Sequence, residues 1–176
     1  MSRADAPKPS ETDDPFRDQL LATMPHLRAF ARGLCGRPDF ADDLVQEAVI
    51  KAWAARERFT MGTNMRAWTF AILRNHYLSE LRRSRHQSDY DPDLAERVLT
   101  VSAEQESPLH LQDMEAALQR LSAERREALL LIGAGGFTYE EAARISECAV
   151  GTMKSRVARA RAELTRLLDP EIDGDG

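Results

Sequence analysis

Between Phe137 and Leu168 the chain carries two helical patterns separated only by Ser146-Glu147-Cys148: FTYEEAARI, then AVGTMKSRVARARAELTRLL. Two helices joined so closely, the second far more basic than the first, are the sequence form of a helix-turn-helix. Val150, Met153, Val157 and Leu164 recur at helical spacing in the second, and so share one stripe that must be buried. Thr152, Ser155, Arg156 and Arg159 recur on another face. Hydroxyls and guanidinium groups on one exposed face suit a major groove, where Arg pairs bidentately with guanine and hydroxyls reach base edges or phosphates. A solvated amphipathic helix is the alternative reading of such a basic pattern. The preceding helix tips the balance toward DNA, because Ala142 and Ala143 allow close crossing and Cys148 offers the turn an inward-facing anchor.

The rest of the composition agrees with an all-α protein. Aromatics are scarce, Ala, Leu, Arg and Glu are abundant, and no stretch alternates apolar with polar residues for long. A chain of 176 residues has room for one domain or two small ones. No apolar run approaches the roughly 18 residues of a membrane span, and the longest, Ala128 to Phe137, is broken by Gly133, Gly135 and Gly136. Residues 1–15 hold acids and prolines without an apolar core, so they read as a disordered leader rather than a signal peptide. Cys35 and Cys148 lie far apart and form no metal-ligand pattern, which suits buried free thiols in a reducing cytoplasm.

The net charge of −5 conceals a segregated pattern. Residues 61–87 carry Arg66, Arg74, Arg82, Arg83 and Arg85 against Glu80 alone, and residues 149–168 carry Lys154 and four Arg against Glu163. Residues 88–113, between them, carry seven acids and one Arg. Two basic islands around an acidic linker predict two nucleic-acid contacts, with the linker occupying something other than DNA.

Periodicity places a helix from Phe16 to about Gly36, with Pro25 marking either a kink or a late start. Gly36-Arg37-Pro38 reads as a turn, and Asp42 or Asp39 as the N-cap of a helix from Asp43 to about Arg58. A loop at Thr60–Asn64 precedes a long helix from about Met65 to His86. Beyond the linker, helices are expected at about 109–120, 123–132, 138–145 and 149–168, followed by an acidic tail at 169–176.

The segment DLVQEAVIKAW buries Leu44, Ala48 and Ala52 with Val45 and Val49, and leaves Gln46, Glu47, Ile50 and Lys51 largely outside. An exposed Ile beside Gln and Glu hints at a protein-docking face, against the plainer reading of a solvated face. In MRAWTFAILRNHYLSELRRSRH, Trp68, Phe70 and Tyr77 either help stack unpaired bases or belong to the core, the latter fitting Trp68 better. Arg74 and Asn75 fit phosphate contact and a base edge, and Arg82, Arg83 and Arg85 face phosphate. The four His are scattered, and no phosphate loop, GxSxG or HExxH motif occurs. Catalytic residues, metal and cofactor are therefore not expected.

In this order, DLVQEAVIKAW, the Trp68-x-x-x-Ile72-x-x-Asn75 pattern with its Arg-rich end, and YEEAARI followed by CAVGTMKSRVARAR resemble the extracytoplasmic-function (ECF) sigma factors of bacterial RNA polymerase. RAFARGLCG, GTNMRAW, ILRN and LLIGAGGFTYEEAA are similar to the EcfG-type subgroup, the general stress response sigma factors of alphaproteobacteria. The resemblance implies sigma domain 2 at 16–87, an acidic linker at 88–108 and sigma domain 4 at 109–168. It implies that Asp43, Gln46, Glu47 and Ile50 dock on core polymerase through the β′ clamp helices, with the β flap as a further contact. Thr63, Asn64, Arg74, Asn75, Arg82, Arg83 and Arg85 would hold the −10 element. Thr152, Lys154, Ser155, Arg156 and Arg159 would read the −35 element. The subgroup further implies a NepR-type anti-sigma factor, itself controlled by a PhyR-type response regulator. Ser146, often apolar in relatives, and Ala149, often Pro, depart from the family pattern. The rival reading is a sigma-like decoy that sequesters an anti-sigma factor, and a second is a repressor or activator using the helix-turn-helix alone.

Overall fold

The computed structural model describes residues 14–88 and 109–169. Its α-helices are α1 (Pro15–Cys35), α2 (Pro38–Ala54), α3 (Met65–Ser88), α4 (Leu109–Arg120), α5 (Ala123–Gly133), α6 (Tyr139–Ile145) and α7 (Val150–Leu168), with a 3-10 turn at Arg56–Arg58. Among the described residues there is no strand, as the all-α expectation requires.

Local chemistry accounts for most boundaries. Asp14 accepts hydrogen bonds from the backbone N–H groups of Phe16 and Arg17 and so caps α1, with Pro15 in the first turn, where it lacks no needed donor. These two residues were expected in the leader; they start the first helix instead, and residues 1–13 lie outside the described part. Gly36 ends α1 at φ 65°, a left-handed conformation that glycine adopts without strain. Helix α1 continues through Pro25. Pro25 and Leu21 are both exposed, so the Leu21 carbonyl that Pro25 leaves unpaired lies on the wet side. The second correction concerns Pro38, which opens α2 instead of closing a turn. Its fixed φ suits the first helical position, and no Asp side chain caps this helix.

Helices α1, α2 and α3 pack mutually around Leu27, Phe30, Leu34, Leu44, Val45, Phe70 and Leu73. A smaller aromatic cluster of Phe16, Phe59 and Trp68 sits beside it, with Trp53 at its rim. The second unit centres on α5 against α7, with Leu131, Met153 and Val157 fully buried. The two units share one core. Phe70 lies 4.8 Å from the Phe30 ring and 4.9 Å edge-on from Phe137, so the same side chain packs on both units. Helix α1 approaches α5 so closely at Gly33 that a Cβ there would lie 2.5 Å from Leu130 Cδ2.

The helix-turn-helix is built by its caps. Thr138 and Glu141 form a reciprocal capping box at the start of α6. The turn closes through Cys148 N–H to Ala143 C=O at 2.9 Å and Glu147 N–H to Arg144 C=O at 3.3 Å, the paired bonds of a Schellman motif. Glu147 occupies its left-handed position at φ 52°, unusual for a residue with a side chain. Ala142, Ala143 and Ile145 are buried in the shared core. Cys148 is half-buried against the core, and it and Cys35 are free thiols; burial pushes the Cys35 thiol upward.

Two outcomes follow. Glu147→Gly should stabilise the fold by about 0.5–1 kcal/mol, because relief of the left-handed strain outweighs the added flexibility of the unfolded chain. Urea denaturation measures this, and a loss of stability would assign the Glu147 side chain a role of its own. The second concerns Glu141, whose carboxyl is held below its ordinary value mainly by the Thr138 N–H, and further by the Asn64 amide. A depressed folded pKa adds stability above the unfolded value, lost as pH falls through the folded one. The stability gap between wild type and Glu141→Gln should therefore exist at neutral pH and close below about pH 4.3. A gap independent of pH would remove charge from the explanation.

Candidate nucleic-acid interface

Helix α7 turns its two faces as its sequence requires. Met153, Val157 and Ala160 are buried, and Val150 and Leu164 are half-buried at the ends of the same stripe. Thr152, Lys154, Ser155 and Arg159 are exposed, whereas Arg156 is half-buried. Ser155 returns its hydroxyl to the Thr152 carbonyl, and the Lys154 ammonium stands 5.8 Å from the Tyr139 ring centroid on α6. The N-cap is Ala149, which supplies no side-chain acceptor, so the first N–H groups of α7 remain open at the start of the basic face. Arg125 on α5 pairs with Glu163 at 2.5 Å, fixing the far end of α7.

A groove lies between α2 and α3. It is lined by Phe40, Asp43, Leu44, Gln46, Glu47 and Ile50 from one side and by His76, Glu80 and Arg83 from the other. The four residues expected to dock thus share one surface, with Ile50 61% exposed between charged neighbours. Lys51 crosses the groove: its ammonium lies 3.6 Å from Glu47 and donates to His76 Nδ1 at 2.9 Å. Burial and this cation push the His76 pKa down. Arg83, expected on DNA, pairs with Glu80 at 3.0 Å and also lines this groove, with its side chain 66% exposed.

The residues expected at the −10 element are divided. Thr63, Asn75, Arg82 and Arg85 are exposed. Asn64 is exposed too, but its Oδ1 accepts from Ala67 N–H to cap α3, and its Nδ2 donates to Glu141 Oε1 at 2.9 Å. Arg74 departs most from the outward placement expected of it. Its side chain is only 12% exposed, with Nε 2.8 Å from Glu127 Oε1 and Nη2 donating to the Ser146 carbonyl at 3.2 Å. Of the aromatics, Phe70 is fully buried in this arrangement, Trp68 is half-buried in its cluster, and Tyr77 is half-buried beside Phe40.

Sequence reasoning missed the residues that hold the two units together. Glu127 is buried, and the Ser146 hydroxyl donates to its carboxylate. Arg66 donates to the Gly135 carbonyl and lies 5.3 Å from the Phe137 ring centroid. Arg126 donates to the Leu34 carbonyl at 2.8 Å and to Gln119, whose amide reaches the Gly33 carbonyl at 2.9 Å. One signal existed: Ser146 is polar at a position where apolar residues are usual in the family it resembles, and the buried Glu127–Arg74 pair is what it serves.

Residues 21–87 match the Sigma-70 region 2 family and residues 111–164 match Sigma-70, region 4. The chain is 48% identical over 162 residues to the ECF RNA polymerase sigma factor EcfG of Rhodopseudomonas palustris (strain TIE-1), covering 92% of this chain and 88% of that relative. It superposes with a TM-score of 0.78 and 44% identity on the sigma factor RpoE of Bartonella quintana, solved in complex with the anti-sigma factor NepR, over 90% of this chain and 98% of that one. A chain of the PhyRSL–NepR complex from Sphingomonas sp. Fr1 aligns with a TM-score of 0.65 at 23% identity, over 88% and 90%, which establishes a common fold and no more. With both sigma regions present in order, and nearly half of its residues shared with a relative along almost its whole length, the chain belongs to the ECF sigma factors of RNA polymerase.

Proposed function

We propose that this sigma factor directs core RNA polymerase to the promoters of general stress response genes, acting in the cytoplasm and catalysing no reaction itself. The α1–α3 unit is sigma domain 2. Its groove between α2 and α3, with Asp43, Gln46, Glu47 and Ile50, takes the β′ clamp helices. The Thr60–Asn64 loop, Arg74, Asn75, Arg82 and Arg85 hold the melted −10 strand. The α4–α7 unit is sigma domain 4, lying at the β flap and reading the −35 duplex through Thr152, Lys154, Ser155, Arg156 and Arg159. A NepR-type anti-sigma factor holds the protein inactive, and a PhyR-type regulator frees it. Likeness to EcfG and to RpoE bound by NepR supports the stress role and its control.

The observation that carries this reading is one chain presenting two different surfaces. An exposed basic face on α7 suits duplex DNA, and a groove on a separate unit offers Ile50 among acids and bases to a protein. A repressor using the helix-turn-helix alone would leave that groove without a purpose.

Charge reversal at Glu47 together with Gln46→Ala should weaken binding to core polymerase while circular dichroism shows an intact fold, since surface changes usually alter stability by less than about 0.5 kcal/mol. Unchanged capture of core polymerase would remove the docking role.

Arg159→Ala and Arg156→Ala should each cost about 1–3 kcal/mol on the cognate −35 sequence and relax preference at one base position. Lys154→Ala should instead weaken all sequences alike and lower the salt slope by about one unit. Holoenzyme binding to a panel of −35 variants at several salt concentrations separates these outcomes. If both Arg variants weaken every sequence equally, they touch phosphate and do not read bases. If neither variant nor Lys154→Ala alters promoter binding, the protein is a sigma-like decoy.

A further inference from the structure

We infer that Glu127 and Ser146 form an intramolecular latch that holds the free protein closed by occupying Arg74, and that the latch must open before the promoter is engaged. The inference rests on the assignment of Arg74 to promoter DNA made above. Glu127 presents a planar carboxylate to a guanidinium that would otherwise face phosphate, so the acid stands where the DNA would be. The interaction is specific on both edges of Arg74: Nε to Glu127 at 2.8 Å and Nη2 to the Ser146 carbonyl at 3.2 Å. The Ser146 hydroxyl satisfies the same carboxylate oxygen from within the second unit. A second acid acts in parallel, because Glu141 accepts from the Asn64 amide at 2.9 Å. Two side chains assigned to the −10 strand, on α3 and at its cap, are therefore held by two carboxylates of the other unit.

Geometry makes closure incompatible with a bound promoter. The −10 and −35 elements are separated by roughly 25 base pairs, about 85 Å at ~3.4 Å per pair. A closed body of the described residues is about 35–40 Å across. The two units cannot share Phe70 and also occupy both elements. Opening breaks the pair and returns both Arg74 and Glu127 to water, where hydration offsets much of the lost attraction. DNA phosphate then gives Arg74 a new charged partner. The rest of the seam is also incompletely satisfied: Arg66 and Arg126 both cross it, yet each leaves its Nε buried without a hydrogen-bond partner. The closed state is thus held by a buried ion pair that DNA can replace, within a seam that is short of full polar pairing.

A closed majority lowers apparent affinity by the fraction of molecules that are open. Glu127→Gln, which keeps shape but removes the charge, should raise the radius of gyration of the free full-length protein in small-angle scattering. It should also tighten binding of the free protein to core polymerase by about 3–10-fold, as expected when an open minority becomes the majority. Ser146→Ala, which removes the hydroxyl donor to the Glu127 carboxylate without touching any residue assigned to DNA, should do the same. This second variant decides the matter if Glu127→Gln fails to fold. If both variants stay compact, the latch does not hold the units together and the inference is overturned. If they expand but bind polymerase no more tightly, closure is not inhibitory and it is equally overturned. Arg74→Ala in the holoenzyme tests the underlying assignment separately: undiminished promoter binding there removes Arg74 from the DNA surface, whereas scattering from Glu127→Gln still reports whether the ion pair keeps the protein closed.

Discussion

Everything in this fold turns on Phe70. It is fully buried, with Phe30 of its own unit on one side and Phe137 of the other unit on the second. Units of roughly 60–75 residues bury a modest fraction of their surface when alone and are correspondingly marginal. By meeting at Phe70, with Gly33 allowing Leu130 to come close, the two small units complete one continuous apolar core. The same meeting dictates what α3 can offer to DNA, because the helix that supplies Phe70 also carries Arg74 one turn later.

Around this apolar centre the seam is polar, and much of its bonding reaches backbone carbonyls: Gly33, Leu34, Gly135 and Ser146 all accept from side chains of the opposite unit. An apolar centre with a hydrogen-bonded rim is the anatomy of an interface between proteins more than that of a single-domain interior. Such interfaces within a chain make relative movement of the two parts the default expectation. The Arg74–Glu127 pair is the exception in the rim, being charged and nearly buried. Pairs of this kind add little to stability beyond what an apolar substitute would give, while the loss of either partner is expensive. Their value lies in discrimination between two arrangements, here one in which Arg74 has a carboxylate and one in which it has a phosphate.

The helices themselves were legible in the sequence, because periodicity, Gly36 and the Thr138–Glu141 box act within a few residues of one another. The face of α7 was legible for the same reason. Pro38 was misread because proline serves both turns and first helical positions, and only the packing of Phe40 and Ala41 decides between them. The closed-state partners of Arg74 were illegible for a different reason. An Arg beside Asn on a basic, aromatic helix has the local chemistry of a phosphate ligand, and its actual partners lie 53 and 72 residues further along the chain. Nothing near Arg74 encodes Glu127. Ser146 was visible as an irregularity, yet its cause needed the third member of the cluster to be in place.

Closure also acts unequally on the two DNA surfaces. Thr152, Lys154, Ser155 and Arg159 remain exposed on α7 when the units are together, while Arg74 is taken and the Asn64 amide is occupied. The basic face of α7 is therefore not the part that the closed form conceals. What it conceals is the side chemistry assigned to the unpaired strand, together with the freedom of the units to stand a promoter's length apart. Phosphate contact by α7 alone is sequence-independent attraction that salt weakens. It brings a closed molecule to DNA without letting it hold a melted strand. On the proposed assignment of Arg74, the step that separates attraction from initiation is the exchange of Glu127 for phosphate, a local change of partner that requires a global change of shape.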